Sequence, residues 1–267
     1  MEQIVQSTKQ WTETKEERKA RKARNKTGLS LPSKSRDKNY VVCLKWGSKY
    51  DSRYVNVLHS MVKKHLTIEY EFVCFTENTV GINPGIRTEP LPLLPVQGWW
   101  YKPYFLSSEL PITGNMLFVD LDVVIFNNIN KLFTYEPERF CIIRDFNRSL
   151  RSSWNKMNSS VFRVHTGKYH TLYEDFKKNA KIHMTKNRGD QDWMYRNIKD
   201  HCFWPDNWIQ SYKWEMRDRN ALKIVNGKRN FVNDDYPKIL ADTSIAVFHG
   251  DPNPADCTDS WVKANWK

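Results

Sequence analysis

The sequence has no apolar run approaching the roughly 18–20 residues that a membrane-crossing helix needs. Its opening, MEQIVQSTKQ, has no apolar core of the kind a secretory leader carries. The cysteines are few: Cys43, Cys74, Cys141, Cys202 and Cys257 are odd in number, scattered, and form no CxxC pair. That spacing argues against a thiolate zinc site and against a disulfide framework. Cys43, Cys74 and Cys141 fall inside apolar runs and read as ordinary buried thiols. There is no GxxxxGK[ST] phosphate loop and no internal repeat. A soluble, cytoplasmic protein with no transmembrane segment is expected.

What is present is enough for a sizeable core. The chain has 267 residues, 40% of them hydrophobic, with Trp 11, Tyr 12 and Phe 13. That suits one large α/β domain or two small ones. The formal net charge is +12, and it is unevenly spread. Residues 1–38 carry 11 Lys/Arg against 5 Asp/Glu. Such a balance suits polyanionic partners, whether nucleic acid, an anionic membrane surface or nucleotide phosphates, without choosing among them. Thr14 and Glu17 fit a capping box before the charged run KEERKARKARNK. With almost no apolar face, residues 1–38 are expected to form a basic arm, helical or disordered, before a single domain over 39–267.

Tyr40–Leu44 and Glu71–Phe75 are short continuous apolar runs, the pattern of strands buried on both faces. Between them Tyr54, Val55, Leu58, Met61 and Val62 recur at helical spacing, so a βαβ unit and a parallel sheet are predicted. Residues 76–98 are rich in Pro and Gly, with a short strand expected at Leu91–Leu94. A helix is predicted over Trp99–Leu110. Met116–Val119 reads as a strong strand, continued by Val123–Phe126 after Asp120-Leu121-Asp122. Further strands are expected at Phe140–Ile143, Ser159–Val164 and Ser244–Phe248, and helices at Tyr169–Asn179 and Gln191–Lys199.

The acidic pair Asp120 and Asp122 ends an apolar strand. Open α/β sheets place ligands at the carboxyl ends of their strands. Two carboxylates there repel and are costly to desolvate unless a cation joins them. A hard divalent cation such as Mn2+ or Mg2+ is the economical partner. His249 ends the last strand, in Phe248-His249-Gly250-Asp251-Pro252, and a neutral imidazole can complete such a shell. Gly250 would let backbone approach a phosphate closely.

With these segments in this order, the sequence resembles the GT-A fold glycosyltransferases, especially the glycogenin-like and galactosyltransferase-like retaining group. The resemblance rests on Val41–Tyr50, on the DxD motif in Met116–Phe126, on Gly189-Asp190-Gln191-Asp192-Trp193, and on Phe248–Pro254. The closing Trp261–Trp266 is similar to the family's tryptophan-bearing end. It covers Tyr40 to the C-terminus and leaves out the arm.

The resemblance implies a Rossmann-like α/β fold with a mostly parallel sheet flanked by helices. It implies metal-dependent transfer of a sugar, with retention, from a nucleotide-sugar, UDP being the usual carrier. Asp120, Asp122 and His249 would be the metal ligands. Asp120, Leu121, Leu44, Lys45, Trp46 and Tyr50 would meet the donor. Lys102 would be a basic group near the donor, Asn158 and Ser159 would line the sugar pocket, and Gly250 and Lys263 would lie near the diphosphate. Gln191 and Asp192 would act at the sugar. The acceptor would be a glycan, a lipid-linked glycan or a modified base in DNA, with peripheral membrane contact through the arm as a further option. Two rival readings stay open: a metal-dependent phosphotransferase or nuclease, which needs more clustered acids, and a nucleic-acid-binding module without catalysis. The second leaves DLD, GDQDW and FHGDPNP unexplained.

Overall fold

The computed structural model describes residues 37–225 and 227–267. The expectations for the basic arm therefore lie outside the described residues, apart from its last two positions. Strand β1 (Asn39–Lys45) leads through helix α1 (Ser52–His65) to β2 (Glu71–Thr76), which pairs with β3 (Arg87–Glu89). Next come β4 (Asn115–Val119), β5 (Val123–Ile125), the short α2 (Lys131–Thr134) and β6 (Cys141–Arg144). Then follow β7 (Met157–His165), α3 (His170–Lys186), α4 (Asp190–Asn197) and β8 (Cys202–Phe203). The C-terminal part holds β9 (Ile209–Ser211), the hairpin β10 (Leu222–Val225) and β11 (Lys228–Phe231), β12 (Ile245–Val247) and α5 (Ser260–Asn265).

The main sheet has seven strands in the order β3-β2-β1-β4-β7-β6-β8. Pairs β1–β2, β1–β4, β2–β3 and β6–β8 are parallel, whereas β7 runs antiparallel to β4 and β6. It is thus the mostly parallel, helix-flanked α/β sheet expected from the sequence. Strand β1 is covered on both faces: Val41 and Cys43 pack with Leu58 and Val62 of α1, and Tyr40, Val42 and Leu44 with Phe105 and Phe118. Each such apolar side chain contributes about 1.5–3 kcal/mol on burial. Order reverses at β1, which has β2 on one side and β4 on the other. A crevice opens outside the carboxyl ends at that switch point, where Lys45–Tyr50 and Asp120–Asp122 leave the sheet.

Several elements differ from expectation. No strand forms at Leu91–Leu94; the strand is Arg87–Glu89, because Pro90, Pro92 and Pro95 offer no N–H to a ladder. The segment after Gly98 is a 3-10 helix over Gly98–Leu106 with Pro103 inside it. Val123–Ile125 does not prolong β4. The chain turns at Leu121-Asp122, and β5 enters a second sheet, β5-β12-β9. Helix α3 runs on to Lys186 across a non-helical Asn179 (φ −122°, ψ 25°). Cys141 and Cys202 are not independent thiols: they face each other in the β6–β8 register, Cα atoms 4.8 Å apart, and are joined in a disulfide. Sequence pattern hides this pair, since 61 positions separate the two residues and β8 has only two. Cys43, Cys74 and Cys257 are buried free thiols.

Candidate active site

A cleft of about 1150 Å³ opens over the carboxyl ends of β1 and β4. Its floor is built from three segments. Asp120 follows β4, and its backbone N–H still bonds to Ser160 O at 2.8 Å, so the carboxylate leaves the sheet beside β7. Strand β7 is irregular there: its register against β6 shifts between Ile142, opposite Phe162, and Ile143, opposite Asn158. This bulge frees residues 159–161 from β6 and re-aims them, as bulges next to sites do. Lys102 arrives from the 3-10 helix. Its ammonium lies 2.9 Å from both oxygens of Asp120 and 3.1 Å from Ser159 O.

This ion pair is nearly closed off from water, with the Lys102 side chain 6% exposed and that of Asp120 24%. Burial pushes the Asp120 carboxyl up to about 6, with Asp122 and Asp190 adding to the rise and Lys102 opposing it. Burial also disfavours the Lys102 ammonium, but Asp120, Asp190 and Asp122 together outweigh it and hold its pKa above the usual value. One lysine therefore serves several acids, and the floor is a negatively biased site whose charge is only partly balanced.

Asp122 is buried, and Tyr50 Oη donates to its Oδ2 at 2.9 Å. Burial and the Asp122 charge push the Tyr50 phenol pKa upward, so it remains a donor. Phe248 N donates to Asp122 O at 3.0 Å, which brings the β12 end against the acidic pair. His249 follows. Its Nε2 is 2.6 Å from Ser211 Oγ, and its ring stacks on Phe146. Burial and the nearby Lys213 lower its pKa to about 4, so the imidazole is neutral at pH 7. Lys213 donates to the carbonyls of His249 and Asp251, pinning the turn around Gly250. Gly250 has φ +84°, and a Cβ there would stand 3.4 Å from the Lys213 ammonium.

The sequence-derived residues mostly converge. Leu44, Trp46, Tyr50, Lys102, Asp120, Leu121, Asp122, Asn158, Ser159, Gln191, Asp192, His249 and Gly250 all line the cleft. Lys45 and Lys263 do not. Lys45 is buried and donates to Asn78 O beyond the end of β2, and Lys263 lies on the exposed side of α5, opposite buried Trp261 and Val262. Among the described residues, no three His, Cys, Asp or Glu side chains stand together as a ready-made metal shell. What stands at the strand ends is two carboxylates with Tyr50 and Lys102 attached, and a neutral imidazole held by Ser211.

Asp190 was missed by sequence reasoning. It is buried at the first position of α4 and lines the cleft, and its Oδ2 has no hydrogen-bond partner. Burial raises its pKa, while Lys102 and a hydrogen bond with Ser159 oppose the rise. The signal was in the helical period: Asp190, Trp193 and Met194 are i, i+3 and i+4, so the carboxylate shares the inward face with two core residues. Gln191 and Asp192 are only partly buried. Lys213 was also passed over, one of many lysines in a polar stretch with no periodic pattern.

No protein-family model matches the sequence, and a search of curated proteins finds no match. Solved structures do match. An active-site mutant of LgtC, with glutamine replaced by glutamate, aligns over 84% of this chain and 93% of its own, at 12% identity and a TM-score of 0.57. The apo form of the glycosyltransferase GlyE from Streptococcus pneumoniae TIGR4 aligns over 81% of this chain and 56% of its own, at 14% identity and a TM-score of 0.55. This chain thus spans little more than half the length of GlyE, and what it has in common with both proteins is the fold.

Proposed function

We propose that the protein is a metal-dependent glycosyltransferase that takes a sugar from a nucleotide-sugar, UDP-linked by expectation, and transfers it with retention. The carrying observation is the floor of the cleft: Asp120, Asp122 and Asp190 around one buried lysine, at the switch point of a sheet whose fold recurs in GlyE. LgtC has an active-site glutamine, and Gln191 lines this cleft beside Asp190.

The residues fit a divalent cation in donor type. Asp120 and Asp122 would hold it, and His249 would be able to join on leaving Ser211. A cation bound there supplies neutralisation of the charge that grows on the departing diphosphate. Lys102 adds a fixed positive charge at the same place. In the transfer, the acceptor hydroxyl oxygen bonds to the anomeric carbon. The bond from that carbon to the diphosphate oxygen breaks, and its electron pair leaves with the diphosphate. The hydroxyl proton passes to a diphosphate oxygen on the same face, which preserves configuration. Asp190 and Asp192 face the donor sugar: Asp190, with a free buried oxygen, receives a sugar hydroxyl, and Asp192 at the mouth stabilises positive charge on the sugar ring. A two-metal nuclease would need more clustered acids than Asp120, Asp122 and Asp190.

A panel of nucleotide-sugars with Mn2+, scored by nucleotide released, tests this reading. Chelation should abolish release and Mn2+ or Mg2+ restore it; full activity in a chelator would overturn the metal assignment. Asp190→Asn and Asp192→Asn should each lower turnover more than they weaken nucleotide-diphosphate binding by calorimetry. Equal losses in both would move these residues off the sugar.

A further inference from the structure

The mouth of the cleft carries four cations beside the Asp192 carboxylate, whereas the floor gathers three acids around one lysine. Lys156, Lys186, Arg188 and Arg196 all line it, all are exposed, and none forms an ion pair with a described residue. They come from separate segments: the loop before β7, the end of α3, the α3–α4 link and the outer side of α4. Aromatic faces stand among them. Trp99 is 52% exposed and packs beside Gly189. Trp154 has Arg151 and Lys156 near its ring, at 6.0 Å and 5.9 Å from the centroid. Lys156 also lies 5.3 Å from the Tyr195 ring.

Neutral sugars are bound by aromatic faces together with carboxylates and amides; they give unpaired cations nothing to neutralise. A phosphodiester strand gives both: phosphates for the Lys and Arg heads, and flat bases for the Trp faces. An anionic lipid surface also attracts exposed cations, but a flat sheet does not present a hydroxyl down a cleft to its floor, and apart from Trp99 the most exposed apolar side chains, Leu93, Val80, Tyr236 and Ile224, line no part of the cleft.

We propose that the acceptor is a nucleic-acid strand, held at this rim by phosphate contacts and base stacking, that presents a ribose or base hydroxyl to the floor. Resting on the donor reading above, this names its acceptor. The reacting group must leave the stack to reach the floor, so single-stranded substrate is preferred over duplex.

The test uses the full chain and fluorescent 20-mers, oligo(dT) and oligo(U), titrated by anisotropy from low to physiological salt. Each phosphate contact in a single strand adds about 0.7 to the slope of log affinity against log salt. The triple variant Lys156→Glu, Arg188→Glu, Arg196→Glu should weaken binding at least about tenfold and flatten that slope by about 2. A melting temperature close to wild type shows that the variant is folded; otherwise Arg188→Ala alone should flatten the slope by about 0.7. Tighter binding of oligo(U) than oligo(dT) would mark RNA as the source, and equal binding a strand of either kind. Wild-type affinity and slope in the variants would overturn the proposal. So would a rim that responds to phosphatidylglycerol vesicles or a phosphorylated glycan and not to the oligonucleotides. Calorimetry with uridine diphosphate separates the two readings. With Mn2+ present, a chain that binds the strand but not the nucleotide overturns the donor reading and with it the acceptor role, leaving a strand-binding rim; the reverse keeps the donor and overturns the strand.

Discussion

The floor and the rim of the cleft both carry charge, but they carry it differently. On the floor, Asp120 and Lys102 are locked together, Asp122 is capped by Tyr50, and Asp190 sits buried behind them. At the rim Lys156, Lys186, Arg188 and Arg196 stand in water without ion partners among the described residues. Buried charges are costly unless held, and Lys102 and Tyr50 place Asp120 and Asp122 before any ligand arrives. Exposed charges pair weakly and cost little to leave alone. A fixed floor suits chemistry, which needs groups held in place. An unpaired rim suits capture of a large anion, where position matters less than charge.

The largest expected effect comes from breaking the floor at its best-placed acid. Asp122→Ala should lower the proposed sugar transfer by about a thousandfold or more, in the range seen when a group stabilising developing charge is removed. Its melting temperature should stay near wild type, because the carboxylate borders the cleft and accepts from a single side chain, Tyr50. A variant that keeps a tenth of wild-type transfer would detach Asp122 from the chemistry.

Next is the lysine that balances the floor. Lys102→Met removes the one ammonium shared by Asp120 and Asp190 and should cost about 3–5 kcal/mol of stability, the usual loss when one partner of a buried pair is removed. The sign with pH is specific. Loss of a neighbouring cation favours the protonated acid, so the penalty should shrink as pH falls and the stranded carboxyls take up protons. Denaturant melts of wild type and variant at pH 5 and pH 7.5 measure this. An equal penalty at both values would mean that Lys102 matters for packing on Phe118 rather than for charge.

How much of this contrast could be read from the sequence depends on the residue. Asp120 and Asp122 were legible because a strand of four apolar residues ends on them, and strand ends point at ligands. Lys102 and Ser159 were placed only through family resemblance. Their meeting depends on a 3-10 helix in place of an α-helix, and on a bulge in β7, neither of which has a sequence period. Asp190 was legible in principle, from its i+3 and i+4 neighbours Trp193 and Met194, but the polar run GDQDW drew attention to the next two residues. The disulfide was illegible, because it depends on the pairing of a two-residue strand. The rim was hidden for another reason. Its cations are spread over 41 positions of a chain that has 42 Lys and Arg, and only the fold brings them to one opening.

His249 stands at the edge of the floor and offers a smaller effect. Its pKa in the folded chain is lowered to about 4 by burial, then by Lys213. The unfolded chain, with histidine near about 6.5, therefore binds more protons between these values. Stability from this group is complete above about pH 6.5 and declines as pH falls towards 4, at up to about 1.4 kcal/mol per pH unit. His249→Gln should remove that one-proton slope while its amide keeps a partner for Ser211. Unfolding free energies from pH 4 to 7 give the slope directly, and an unchanged slope would show that the ring is protonated in the fold.

The smallest effect is the one that tests the contrast from the other side. Lys186→Ala and Arg196→Ala should each change unfolding free energy by no more than about 0.5 kcal/mol, the range for surface positions without a special role. Both side chains are exposed, and neither has an ion partner to lose among the described residues. Removing one of several like charges around a single opening relieves repulsion, so a slight gain in stability at low salt is expected. Added salt should erase that gain, because the Debye length shrinks to about 8 Å at physiological ionic strength. A loss of 2 kcal/mol or more, measured by urea melts at two salt concentrations, would show that the rim is built into the fold as the floor is. If the small, salt-sensitive change is found, the rim cations are placed there at the expense of stability, which is the pattern of groups kept for a ligand.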